Sequence, residues 1–182
     1  MLKKFAKILL VLAIIIGGMV ALHKPILKQI YKLEHRETID KYAEINNLDK
    51  YVVYSLIKKE SKYDPLAVSK KGAMGLMQIM PETGLYLAKI TKEKGFEEMD
   101  LYDAETNVKL GTYYLSKLRD DFKGNMDAAL AAYNGGEGNV RKWMADNNNE
   151  LDPDKIPFIQ TKDYVKSINK DMKIYKYLYD SE

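Results

Sequence analysis

The sequence predicts a mainly α, compact domain carrying one small Gly-rich loop or hairpin and preceded by one N-terminal hydrophobic helix. Three observations predict it. Apolar side chains recur at i, i+3 and i+4 through the charged body, no segment alternates as a half-buried strand would, and residues 8–22 hold no polar side chain at all. From Ile26 to Asn47 the chain is charged with scattered Ile30, Leu33, Ile39 and Tyr42, which reads as a link that becomes the first helix of the domain. Asp49 is placed to cap KYVVYSLIKKES, whose stripe Val53, Leu56, Ile57 runs on to Glu60 before Asp64-Pro65 ends it. KKGAMGLMQIM is too glycine-punctuated for a helix and reads as the loop or hairpin. Pro81 suits the first turn of the next helix, and Asp103 caps a longer one through Val108, Gly111, Leu115, Leu118 and Phe122. Asn125 or Asp127 opens AALAAY, which stops at Asn134-Gly135-Gly136 as a left-handed C-terminus. A short helix with Trp143, a polar loop DNNNELDPDKIP and a last helix striped by Val165, Ile168, Met172, Tyr175 and Tyr179 complete the body.

Composition removes whole classes of function. The 182 residues contain no cysteine, which excludes disulfide scaffolds, thiolate metal sites, cysteine nucleophiles and a lipid-modified cysteine anchor. His23 and His35 have no metal-ligand spacing, and DNNNELDPD lacks the glycine and closing spacing of a calcium loop, so neither a metal nor a cofactor is expected. The net charge of +3 comes from Lys3, Lys4, Lys7 and Lys24. The rest of the chain is nearly neutral, and a nucleic-acid partner is not expected. ILLVLAIIIGGMVAL, led by those lysines, reads as a membrane segment over residues 1–24 with the N-terminus cytoplasmic and the body outside. Cleavage as a signal peptide is the alternative, but Met19-Val20-Ala21 makes a poor site. Residues 25–38 then form a linker and 39–182 the domain.

Glu60 is the anomaly. It continues an apolar stripe instead of joining Lys58, Lys59 and Lys62, and it sits in a last turn where the helix dipole disfavours a carboxylate. Both effects raise its pKa toward that of a general acid. A carboxylate reaching water at a helix end fits the same pattern. Gly72 and Gly75 permit close backbone approach, and Gln78 is a neutral donor and acceptor amid apolar residues; a plain tight turn explains them equally. Tyr133-Asn134-Gly135-Gly136 suits sugar stacking and hydroxyl recognition, or is a helix stop.

Taken together, ESKYDPLAVSKKGAMGLMQIMPETG, then AAYNGG, then QTKDYVKSI resembles the lytic transglycosylase domain of the soluble-lytic-transglycosylase type, glycoside hydrolase family 23, from about Ile39 to Tyr179. Asn107, Gly111 and Tyr114-Leu115 add to the likeness. The resemblance implies a goose-type-lysozyme-like fold and cleavage of the β-1,4 bond between N-acetylmuramic acid and N-acetylglucosamine, leaving 1,6-anhydromuramyl ends. It implies Glu60 as the single catalytic acid/base. Ser69, Gln78 and Met80 then line the sugar cleft, Tyr133 and Asn134 contact substrate, and Tyr164 reaches toward the acid. The partner is peptidoglycan, with the membrane reached through the N-terminal segment.

Two residues depart from the family pattern. Gln160 stands where a glutamate is usual, removing a second ionisable group, and Gly84 stands where alanine is usual, at a cost of about 1 kcal/mol in helix propensity. Two rival functions remain: a lysozyme-type hydrolase using Asp64 or Asp163 with water, and a non-catalytic wall-binding module.

Overall fold

The computed structural model describes residues 2–147 and 150–180; Asn148 and Asn149 of the polar loop lie outside the described residues. Among the described residues eight helices follow in order: α1 Leu2–Ile30, α2 Arg36–Ile45, α3 Lys50–Glu60, α4 Pro81–Thr91, α5 Ala104–Asp121, α6 Met126–Gly135, α7 Glu137–Ala145 and α8 Ile159–Tyr179. Single 3₁₀ turns at Glu98–Tyr102 and Pro153–Lys155 complete the elements. No strand forms among the described residues. The starts are set by the expected chemistry. Asp49 accepts from the Tyr51 amide at 2.9 Å, Asp103 from Thr106 at 2.8 Å, and Asn125, not Asp127, from Ala128 at 3.0 Å. Pro81 opens α4 behind Met80. α6 ends at Gly136, whose φ of 86° with ψ of 137° is a positive-φ extended turn and not the left-handed helical stop expected.

Helix α3 is the axle of the domain. A single stripe was expected, but every residue from Tyr51 to Ile57 is buried, because α2, α8 and the loop that follows enclose it from all sides. Its main partner is α8, which buries Tyr164, Val165, Ile168, Tyr175 and Leu178. Helices α5, α6 and α7 close the other half of the core through Val108, Leu115, Leu118, Val140 and the alanines 128, 129, 131 and 132.

Residues 67–80 form the expected miniature hairpin. Val68 bridges Met74, and Met74 exchanges both backbone bonds with Ile79 at 2.9 and 3.0 Å. So few internal bonds leave the loop's polar groups needing outside partners. The fully buried Asn107 of α5 supplies them. Its Oδ1 accepts from the Met77 amide at 2.7 Å, and its Nδ2 donates to the carbonyls of Met74 (2.9 Å) and Leu101 (2.8 Å). Close approach needs glycine twice. A Cβ on Gly75, at φ +76°, would stand 2.2 Å from Asn107 Nδ2, and one on Gly111 would stand 2.4 Å from Met77 Sδ.

The boundary expected at residue 24 falls inside α1, which runs through Pro25 to Ile30. The segment expected to lead into one first helix is interrupted at residues 31–35, with His35 at φ 51° before α2. That interruption is tied down. Tyr31 donates to Asp171 at 2.9 Å, Lys58 bridges the same carboxylate at 2.7 Å, and Tyr179 donates to the Tyr31 carbonyl at 2.8 Å.

Replacing Asn107 with alanine strands one buried amide and two buried carbonyls. Asn107→Ala should therefore lower unfolding stability by at least about 3 kcal/mol in urea titration, with an unchanged m-value.

Candidate active site

Glu60 is the last residue of α3, and the chain reverses directly behind it through Lys62 (φ 55°) and Tyr63 (φ 68°). Left-handed backbone at two non-glycine residues costs on the order of 1 kcal/mol each. It is offset by the buried Tyr63 hydroxyl, which bonds the Tyr54 carbonyl at 3.0 Å and the Tyr175 hydroxyl at 2.6 Å. The reversal leaves Glu60 half-buried against α8, where the Tyr164 hydroxyl donates to its Oε1 at 2.5 Å. Burial raises the Glu60 pKa to about 6, the Tyr164 bond and the nearby Lys59 charge pull the other way, and burial wins. Among the described residues no second carboxylate contributes to its ionisation.

Tyr133 of α6 completes the group. Its hydroxyl donates to the Met77 carbonyl at 2.8 Å, its ring packs tilted against Tyr114 of α5 with centroids 5.3 Å apart, and the Glu60 charge acts on both Tyr133 and Tyr164. Both phenols are pushed well above their ordinary pKa, chiefly by burial, so they remain neutral donors.

The other expected residues are placed less directly. Gln78 sits at φ 50°, and its Nε2 donates to the carbonyls of Ala67 (3.0 Å) and Gly75 (2.9 Å). Its amide is thus oriented, with both donors spent on the loop and the Oε1 acceptor left for a ligand. Ser69 Oγ accepts from the amides of Ala73 (3.0 Å) and Lys71 (3.3 Å), stapling the hairpin. Neither residue bonds Glu60. Met80 is 41 % exposed at the start of α4, available as a wall. Asn134 lies apart, exposed on a cleft of about 660 Å³ that it shares with Gly135, Asn139, Phe158, Gln160 and Thr161. Asp64 accepts from the Leu66 amide at 2.9 Å in a turn, and Asp163 is exposed on α8.

Sequence reasoning missed Thr161. Buried one turn before Tyr164, it donates to Asn134 Oδ1 at 2.9 Å and lies against Gly135, where a Cβ would come within 3.0 Å. Its i, i+3 spacing to Tyr164 was the available signal.

The transglycosylase SLT domain profile matches residues 37–156. The chain belongs to the SLT transglycosylase family. It is 32% identical over 147 residues to the soluble lytic murein transglycosylase of Escherichia coli (strain K12), spanning 78% of this chain and 23% of that protein. It is 30% identical over 158 residues to the membrane-bound lytic murein transglycosylase C of Actinobacillus pleuropneumoniae serotype 5b, spanning 72% and 43%. An inactive mutant of the lytic transglycosylase Slt of Pseudomonas aeruginosa superposes with a TM-score of 0.79 at 29% identity, over 85% of this chain and 26% of that one. The 70 kDa soluble lytic transglycosylase Slt70 of Escherichia coli gives 0.78 at 31%, over 83% and 25%. The chain thus spans about a quarter of the length of the soluble relatives it matches. The fold is the Slt70 lysozyme-like fold, as expected.

Within the SLT family pattern, the profile stops before α8, yet α8 brings Tyr164 to Glu60. Gln160 is exposed at the edge of the Asn134 cleft. Gly84 is more than a weak helix former. A Cβ there would come within 3.1 Å of both Leu101 methyls and 3.3 Å of Phe96, so an alanine would need these side chains to give by a few tenths of an ångström.

A carboxyl whose folded pKa exceeds its unfolded one binds its proton more tightly in the folded state. Its contribution to stability is full below about 4.5 and is lost as pH rises through about 6. Glu60→Gln escapes that loss. In urea unfolding the variant should gain on the order of 1 kcal/mol over wild type well above pH 6, and the gain should vanish below pH 4.5.

Proposed function

We propose that this chain is a peptidoglycan lytic transglycosylase that cleaves the β-1,4 bond between N-acetylmuramic acid and N-acetylglucosamine, with Glu60 as its one general acid and base. The observation that carries the reading is a half-buried carboxyl at pKa about 6, bonded to a neutral tyrosine and uncoupled from other carboxylates. A glycosidase built on two carboxylates needs the second within about 5–10 Å of the first. A lone glutamate suffices when the sugar supplies the nucleophile. Glu60 protonates the leaving O4 as the C1–O4 bond breaks. The muramic 6-hydroxyl then bonds C1 and returns its proton to Glu60, closing the 1,6-anhydro ring without water or cofactor.

Neutral groups serve the remaining steps. Tyr164 holds Glu60 on the line of proton transfer and Tyr133 contacts the sugar beside it. Gln78 Oε1 and Asn134 Nδ2 are the acceptor and donor for the amides of the N-acetyl groups, and Ser69 and Met80 line the approach. Residues 1–24 serve as a single-pass anchor, 25–38 as the connection and 39–182 as the catalytic domain on the extracytoplasmic side. The exposed apolar face of α1 and the membrane-bound relative support that placement.

Digestion of purified sacculi by the full chain in detergent should release muropeptides one water lighter than hydrolysis products. Glu60→Gln should cut the rate at least ~10²-fold. Products of hydrolytic mass favour the lysozyme-type alternative, and sacculus binding without release favours a wall-binding module.

Tyr164 donates to the charged form of Glu60 and so holds its pKa down. Tyr164→Phe should move the basic limb of the kcat/KM profile upward from near pH 6, read across a pH series on the same substrate.

A further inference from the structure

The last turns of α8 and the end of α1 form a joint that the proposed chemistry does not use. The two helices run antiparallel. Tyr31 of the α1 exit meets Asp171 and Tyr175, and eight residues earlier His23 stacks on Tyr177 at 5.9 Å and is hydrogen-bonded to its hydroxyl. Lys24 lies 4.7 Å over the Tyr177 ring and Lys28 lies 4.8 Å over Tyr179. The helix that leaves the apolar run therefore enters the domain along α8, with no free linker between them.

The level of this joint is informative. The unbroken apolar run ends at Leu22, and on the reading of residues 1–24 as the span His23 and Lys24 stand where hydrocarbon gives way to headgroups, with Tyr177 beside them. Tyr177 is 52 % exposed. Lys173, one turn back on the same face of α8, is exposed too; Asp180 is an acid of that end, and Glu182 follows it in the sequence outside the described residues. An amphipathic ring with lysines around it is the chemistry of a membrane interface, where tyrosine is enriched and basic side chains meet lipid phosphates.

We infer that the C-terminal turn of α8, through Tyr177 and Lys173, is seated in the phospholipid headgroup layer of the membrane that α1 crosses. This rests on the reading of residues 1–24 as a membrane span. Tyr164 precedes Tyr177 by thirteen residues, so the Glu60 carboxyl bonded to it is held about 20 Å from the headgroups along the α8 axis. The domain then cuts glycan at a set height over the bilayer instead of sweeping a volume on a tether.

The test places single tryptophans in the full chain carrying Trp143→Phe, reconstituted in vesicles of equal parts phosphatidylethanolamine and phosphatidylglycerol with a headgroup spin-labelled lipid. Tyr177→Trp should lose roughly half its emission or more to the headgroup label, as an interfacial ring does. Ile159→Trp, at the far end of α8, should keep its emission. Val20→Trp, quenched by a lipid labelled in its acyl chain, reports insertion of α1 independently. An unquenched Tyr177→Trp beside a quenched Val20→Trp overturns the seating while the span stands. An unquenched Val20→Trp overturns the span and the seating with it. If Tyr177→Trp loosens the joint, a spin label on Lys173→Cys read by relaxation from a lipid-soluble against a water-soluble agent repeats the measurement. Greater relaxation by the water-soluble agent there overturns the proposal.

Discussion

Two hydrogen bonds to one buried side-chain amide, itself tied by a third to the Leu101 carbonyl, hold the working loop of this protein in place. Residues 67–80 have neither a helix nor a ladder worth the name, and their conformation depends on Asn107 accepting from the Met77 amide and donating to the Met74 carbonyl. Gly75 and Gly111 let backbone and Met77 come close enough for that clamp to act. Without it the loop would not present the Met77 carbonyl to Tyr133, and that ring, which the Glu60 charge reaches, would lose its anchor.

The acid illustrates how magnitudes decide a sign. A tyrosine hydroxyl at 2.5 Å and a lysine charge both favour ionised Glu60, yet its pKa is raised. Removing a carboxylate from water outweighs one hydrogen bond and one partly screened charge. The bond to Tyr164 still matters, because it keeps the value near the range in which a proton can be both given and taken back. A greasier pocket with no donor would hold the proton too tightly to release it.

Gln78 and Ser69 show the same economy at the loop. Each spends hydrogen-bonding capacity on the hairpin's own backbone, and what remains is directional: a fixed acceptor on Gln78 and a hydroxyl proton on Ser69. Thr161 does the equivalent for Asn134 by occupying its Oδ1 and leaving its amide protons outward. Oriented neutral groups of this kind suit a glycan, whose recognition depends on hydroxyls and amides more than on charge.

Much of this was legible in the chain alone. Asp49, Asp103, Asn125 and Pro81 announce helix starts because capping is a local interaction between neighbours. The unbroken apolar run and the misplaced Glu60 stand out because periodicity is local too. Other features required the folded molecule. The all-round burial of α3, the left-handed turn at Lys62 and Tyr63, the tight seat of Gly84 against Leu101, the docking of Tyr177 beside His23 and the reach of Thr161 to Asn134 all join residues distant in sequence, or set a backbone whose cost distant contacts offset. The residues by themselves determined which segments are helical, which segment is apolar enough for a bilayer and which carboxyl is out of place. Only the tertiary structure decided that this carboxyl is desolvated and bonded to a phenol 104 positions away, since burial is a property of neighbours that the local chain does not contain.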